Sequence, residues 1–473
     1  MIKALKILRD SKYARWIVLL CLALPMFASY FFDDIYSPIS QIFQNPELLD
    51  IGWNSEDFGW YHGAYSMLCV WGGLIICGIL LDKWGVRITG SVFVGLMSLG
   101  SVIIMYGISK SFFESDLYIT LSKSFDKPSV LVSAIGCSMF GLGSEIAGVT
   151  VNRSIAKWFK GKEMALAMGI QLAIARFGSA VAIFIVPYIM QTEGHISFSE
   201  TSRPVVIGVI LLFAALLIWA IFIAMDYQRD KHNEKLAVMN KVVQTEKDKF
   251  KFKDIFNVLS NSHFIIISLL CVFFYVCIIS FKKFATAIII PRFGIDIMIA
   301  SQMVAMIPFC TLIFAPLFGY LVDRLGKGTK IMIVGSFLVL LSHLIIAFAP
   351  SVQFFGYLGI ALLGVGYSLV PAALWPSVPK IIPEKNLGTA FSLLYWIQNM
   401  GMLLVPIFVG RIFDNAKLIS TDMTESALQG AVRSEYLFIA LSIVAIILSI
   451  IFSISSDRHP ELLLDKKVVR QKN

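Results

Sequence analysis

The sequence predicts an all-α integral membrane protein, with twelve transmembrane helices in two pseudo-symmetric six-helix bundles. Composition is the first observation behind this. Of 473 residues, 57% are hydrophobic and 15% charged, and the mean hydropathy is +0.78. A soluble domain of this size carries more surface charge. The second is the recurrence of apolar runs about 20 residues long, enough to cross about 30 Å of hydrocarbon. They fall at about 15–37, 60–81, 88–108, 129–152, 164–190, 204–225, 263–290, 298–320, 330–349, 353–376, 388–412 and 434–455. The short alternating segments of a β-barrel do not occur. The third is a loop motif that returns at matching places in the two halves. These runs divide the chain into an N-terminal bundle (1–225), a linker (226–262) and a C-terminal bundle with its tail (263–473).

The net charge of +9 is explained by its distribution. With a cytoplasmic N-terminus, most Lys and Arg residues sort to one side of the membrane. They lie in the first residues, the loops after even-numbered spans, the linker and the C-terminal tail. That asymmetry is the positive-inside rule, so no nucleic-acid partner is needed. The seven Cys residues (21, 69, 77, 137, 271, 277 and 310) all fall in spans and read as small apolar fillers, giving neither a disulfide framework nor a metal site. No cofactor is implied.

Taken in order, residues 1–14 form a basic tail. The first span is expected to break at Pro25 and to end at Asp33 and Asp34. These two are either a solvated helix end or an acidic gate or proton site. His62 in the second span and His343 in the ninth read as hydrogen-bonded fillers, with a proton relay as the alternative.

Between the second and third spans stands GILLDKWGVR, with Gly78, Asp82, Lys83, Gly85 and Arg87. Glycine lets two helix ends approach closely. The aspartate can accept hydrogen bonds from a neighbouring helix N-terminus, and the basic residues hold the loop inside. The pattern returns between the eighth and ninth spans as GYLVDRLGK, with Gly319, Asp323, Arg324 and Gly326.

Residues 141–179 read as two spans joined by a short basic loop. Glu145 lies on the first and Arg176 midway along the second. An ionisable group at the bilayer centre costs about 2.5–3.5 kcal/mol on insertion scales, so it faces a bundle interior or a watery cavity. A guanidinium matches a carboxylate with two parallel hydrogen bonds and stays charged. Glu145 suits an ammonium or a coupling proton. The two could hold the ends of a zwitterion, or simply neutralise each other. Arg153, nearer the cytoplasmic end, reads as a gate or headgroup contact.

The linker is a solvated connector, with a short amphipathic surface helix expected at 250–256. In the seventh span, Lys282 and Lys283 are about 100° apart on a helix. They are expected to snorkel outward, Lys282 being the candidate second anion site.

When Gly141 is laid on Gly364 and Gly143 on Gly366, Glu145 falls on Ser368 and Arg176 on Asn399. The halves thus share a scaffold, and the first bears charges where the second bears neutral polar groups. Trp375, Tyr395, Gln398 and Asn399 lie on these matching second-half helices. Any one aromatic here reads first as packing. Uncharged amides in a membrane helix need partners, and aromatic walls with a few amides suit a peptide-like ligand.

The duplicated loop motif resembles that of the major facilitator superfamily, whose halves each carry it, and the resemblance covers essentially the whole chain. It implies two bundles about a pseudo-twofold axis with a substrate cavity between them. The stretches SEIAGVTVNRSIAKWFKGKEMALAMGIQLAIARFGS and YSLVPAALWPSVPKIIPEKNLGTAFSLLYWIQNMGMLLVP are more specifically similar to the branch holding animal lysosomal dipeptide transporters. That branch implies passive dipeptide movement, with an acidic residue and an arginine in the cavity. Those roles carry over to Glu145 and Arg176. Lys282–Lys283 has no expected counterpart, and the only Asn-x-Ser, at Asn152, lies in a span near the cytoplasm.

The reading is therefore a transporter of a small zwitterion, a dipeptide or amino acid, working by alternating access as a monomer, with an accessory subunit as an option. The membrane is read as a bacterial inner membrane with both termini cytoplasmic, ahead of a lysosomal one. The rivals are a proton-coupled symporter or antiporter of an organic anion, and a non-transporting sensor or assembly subunit. An enzyme is disfavoured, since metal clusters, a nucleophile elbow and a phosphate-cradling loop are all missing from the sequence.

Overall fold

The computed structural model describes residues 13–159, 164–190, 193–239, 252–383, 386–419 and 422–465. The N-terminal tail up to Lys12, the loop residues Lys160 and Lys162, and most of the lysines of the linker lie outside the described residues. Twelve long or paired helices build the two bundles. They are α1 (Ala14–Asp33), α2 (Ser55–Ala64), α3 (Leu74–Gly107), α4 (Pro128–Trp158), α5 (Met164–Ile189), α6 (Phe198–Met239), α7 (Ser262–Phe293), α8 (Ile297–Leu325), α9 (Gly328–Phe348), α10 (Gln353–Ile381), α11 (Leu387–Lys417) and α12 (Met423–Arg458).

Among the described residues, eleven helices are long and apolar enough to cross a bilayer. The remaining crossing is the second, which is split. It starts as α2, passes a π-helical stretch at Cys69–Gly73 and continues into α3. There the chain turns at Gly85, whose φ of 73° is a left-handed conformation that side chains disfavour, and returns as the third crossing. The motif glycine thus makes the turn itself. Its counterpart Gly326, with φ 62°, caps the C-terminus of α8. Gly78 and Gly319 do not permit a tight crossing here. A Cβ on Gly78 would meet only Ser392 Oγ, at 3.6 Å, and one on Gly319 would meet nothing within 4 Å.

Starts are set by polar caps. Asn54 and Asp57 form a reciprocal capping box on α2, and Asn261, Asp296 and Asp422 cap α7, α8 and α12. Pro25 does not break the first span, because α1 runs through it unbroken; one lost backbone bond is tolerated where neighbouring helices enclose the site. The segment drawn as linker from 226 begins inside α6, which continues to Met239. The expected surface helix occupies Phe252–Leu259, with Phe256 exposed and Val258 buried.

The ends bearing the basic loops define a basic face, and the opposite ends a far face. On the basic face, Lys157 reaches Asp226 (2.9 Å) and Asp230 (2.8 Å) of α6, and Arg87 approaches the same pair at 3.9 and 3.4 Å. Arg229 lies over the Trp158 ring at 4.4 Å. These contacts tie the N-terminal bundle to itself. In the C-terminal bundle, Asp465 accepts from Thr329 and Lys380 donates to the carbonyls of Leu463 and Leu464. Lys83 and Arg324 are exposed, and Arg153 is half-buried on α4. The side chains of Asp82 and Asp323 lie outside the described residues.

The two bundles are shut against each other along the far half. Backbone meets backbone there: a Cβ on Gly59 would lie 2.5 Å from Pro406 O, and one on Gly410 2.2 Å from Ser55 O. Ser40 bonds Thr286 (2.9 Å), Gln302 bonds Tyr188 (3.1 Å) and Arg411 pairs with Glu56 (2.6 Å). In lipid, where no water drives apolar faces together, such close packing and interhelical hydrogen bonds carry association.

Candidate functional site

Beneath this closed far half, α1, α4 and α5 of one bundle face α7, α10 and α11 of the other. Glu145 and Arg176 are both half-buried, and no ion pair joins them. Glu145 accepts a hydrogen bond from Tyr65 at 3.3 Å. The residue before it, Ser144, bonds Ser29 at 2.6 Å and ties α4 to α1. Arg176 donates to the hydroxyl of Tyr367 across the bundle boundary. Its guanidinium carbon lies 4.5 Å from the Tyr367 ring centre and 5.8 Å from that of Tyr30. Its Nε is buried without a partner among the described residues. Mutual neutralisation, one of the two readings of this charge pair, is therefore not what the structure contains.

The second-half residues fall on the facing wall in different roles. Trp375 stacks on Tyr395 (5.1 Å between centres, 29°) and donates to the Tyr275 hydroxyl at 2.9 Å, so it is packed and polar at once. Gln398 is half-buried and accepts from Cys271 Sγ at 3.4 Å. Asn399 is only 2% exposed. It accepts from Ser66 across the boundary at 2.6 Å and donates to Tyr395 O at 3.0 Å. Trp396 donates to Val70 O at 2.7 Å, where the second crossing is broken. Asn399 and Trp396 thus act here as ties between bundles.

Above this wall is a charge lock. Asp34 is 1% exposed at its side chain and accepts from Lys282 at 2.6 Å, from Lys283 at 2.9 Å and from Ser179 of α5. Asp33, 28% exposed, pairs with Lys283 at 2.8 Å. This corrects two expectations. Asp34 is not a solvated helix end, and the lysines do not snorkel outward. Adjacent residues do diverge around a helix, but four-carbon arms let both ammonium groups converge on one carboxylate lying at the seam. Lys282's charge is taken up by Asp34 and does not stand as a separate anion site. His62, 6% exposed, packs on Phe58 and Tyr61 just behind. His343 bonds Glu435 at 2.8 Å inside the C-terminal bundle, both fully buried. Glu435 was not singled out from the sequence because it sits at the margin of its apolar run.

The sequence reading also missed Tyr30, Tyr65, Tyr275 and Tyr367. A tyrosine in an apolar span looks like packing, and only its position facing a lone charge could have marked it. A separate concavity of about 290 Å³, lined by Asp50, Phe113, Tyr118, Lys127 and Ser129 among others, lies on the far surface and shares no residue with the site. No group of three or more His, Cys, Asp or Glu among the described residues could hold a metal.

Comparison with known proteins agrees with this architecture. The lysosomal dipeptide transporter MFSD1 of Danio rerio is 30% identical over 412 residues, covering 85% of this chain and 81% of that one. Its Homo sapiens namesake is 27% identical, covering 85% and 80%. Among solved structures, a bacterial homolog of the human lysosomal transporter Spinster superposes with a TM-score of 0.67 at 15% identity, over 98% of this chain and all of that one. A D-xylose–proton symporter gives 0.65 at 14%, over 93% and 96%. The family model for the Major Facilitator Superfamily matches residues 18–406 and again 273–470. With two six-helix bundles and this match over most of its length, the chain belongs to the Major Facilitator Superfamily.

Proposed function

We propose that this secondary transporter carries dipeptides or similarly small zwitterions by alternating access, with Arg176 taking the carboxylate and Glu145 the amine. The observation that carries the reading is that these two opposite charges share the bundle boundary without being paired to each other. Unpaired charges at membrane depth are costly, and a ligand bearing both signs would satisfy both. Trp375, Tyr395 and Gln398 supply the facing wall, and Asn399 steadies it. The relatives named as dipeptide transporters support the substrate class. The state described is the one closed at the far face.

Binding and uptake by Arg176→Ala and Glu145→Gln in liposomes test the roles. Losing a hydrogen-bonded charge partner costs about 1.5–3 kcal/mol, or about 10- to 100-fold in affinity. Wild-type behaviour in both folded variants would reject the assignment. Uptake that follows an imposed pH gradient would move the protein to the proton-coupled reading.

The basic face is read as cytoplasmic, with both termini there, on the Lys and Arg asymmetry. The membrane is read as a bacterial inner membrane and the working unit as a monomer. The named relatives are lysosomal, and membrane fractionation of tagged protein in its native cells decides between the two compartments.

A further inference from the structure

Arg176 is not alone at its end of the site. It donates to Tyr367 Oη, and Trp375 Nε1 donates to Tyr275 Oη at 2.9 Å. Each hydroxyl is thereby used as an acceptor, and neither finds an acceptor for its own hydrogen among the described residues. The two rings lie 6.0 Å apart at 86°, on α7 and α10, and both tyrosines are about 5% exposed. With the unpartnered Arg176 Nε, this corner gathers spare donors from both bundles and, among the described residues, no carboxylate pairs with them. Around Glu145 the pattern is opposite: the carboxylate is the acceptor and Tyr65 its donor. A hydroxyl that already accepts from a cation is polarised, so it donates more strongly to an anion.

From this we infer that Tyr367 and Tyr275 are the C-terminal bundle's half of a carboxylate site whose other half is Arg176, and that they select ligands with a free terminal carboxylate over neutral amides or esters. This inference rests on the functional reading above and names its specificity. The carboxylate bridges the boundary, accepting from Arg176 on one bundle and from the tyrosine hydroxyls on the other. An amide in the same place can still accept through its oxygen, but its NH2 turns donor against donor.

The test compares alanyl-alanine with alanyl-alaninamide as ligands for the purified full chain, by direct binding. Wild type, Tyr367→Phe, Tyr275→Phe and Arg176→Ala are measured, with unfolding midpoints as the check on folding. Phenylalanine keeps the ring against Arg176 and deletes only the hydroxyl. The expected result is a loss of about 10-fold or more in affinity for the free acid in Tyr367→Phe, with a clearly smaller loss for the amide, so that discrimination narrows. Tyr275→Phe narrows it in the same direction and stands in if Tyr367→Phe does not fold. Equal losses for both ligands, or unaltered discrimination in the folded phenylalanine variants, overturns the inference. If discrimination persists in them while Arg176→Ala loses the free acid, only this inference falls. If Arg176→Ala and Glu145→Gln both bind as wild type, the functional reading falls with it.

Discussion

Replacing Asp34 by Asn should release the far face. In the closed state this carboxylate is 1% exposed and holds two ammonium groups, at 2.6 Å (Lys282) and 2.9 Å (Lys283). Asparagine keeps the shape and can still accept from Ser179, but it no longer balances either charge. Lys283 retains Asp33 at 2.8 Å. Lys282 keeps only neutral partners, the Ser179 hydroxyl at 3.3 Å and the amide oxygen of the new side chain. Breaking a buried pair from one side costs about 3–5 kcal/mol. Once the far face opens, water reaches the lysines and most of that cost disappears. The penalty therefore falls on the closed state alone, and the equilibrium shifts toward opening by about 100- to a few thousand-fold. Spin labels at Leu117 and Phe354, both exposed on the far face, report the distance between bundles, in a background where Cys310, the most accessible of the cysteines, is replaced. The closed distance should give way to a longer one. Adding Lys282→Met to the Asn variant should restore part of the closed population, because it removes the stranded charge. An unchanged distance in folded Asp34→Asn protein would refute the reasoning.

The Glu56–Arg411 pair crosses the same seam but is 34% and 48% exposed, so Glu56→Ala should move the distance distribution little, consistent with the 0–1 kcal/mol of surface pairs. Gly59→Ala should open the far face as Asp34→Asn does, since the new methyl would press on Pro406 O; the same labels check it. Glu435→Leu strands His343 in a fully buried site. It should lower the unfolding midpoint by an amount matching about 1–3 kcal/mol, while a His343→Leu/Glu435→Leu double variant recovers part of the loss. Gly85→Ala forces a side chain onto a φ of 73°, at a cost of about 1 kcal/mol or more, visible in the same unfolding scan.

Much of this was readable from residues alone. Hydropathy located the crossings, because spanning the hydrocarbon takes about 20 largely apolar residues, whether in one helix or, as in the second crossing, in a broken one. The internal match of Gly141 to Gly364 paired α4 with α10 and α5 with α11, and so put Glu145 and Arg176 opposite Trp375 and Tyr395. What escaped the sequence was whatever depends on contact between bundles. Lys282 and Lys283 were expected to point apart because helix geometry fixes where a side chain starts, whereas the partner fixes where it ends. Tyr367 and Tyr275 left no mark because what sets them apart is a hydroxyl whose hydrogen-bond partners, Arg176 and Trp375, come from elsewhere in the chain. Asn399 stood out as an amide in need of a partner, and that partner, Ser66, is far away in sequence.

The seam at the far face also has an electrical side. Shut, its two carboxylates and two ammonium groups balance one another within a few ångströms, so their combined field falls off quickly with distance. Drawn apart, they become facing plates, acid on one bundle and basic on the other. Opening is then a charging process as well as a mechanical one, and dissolved ions that screen the plates would ease it.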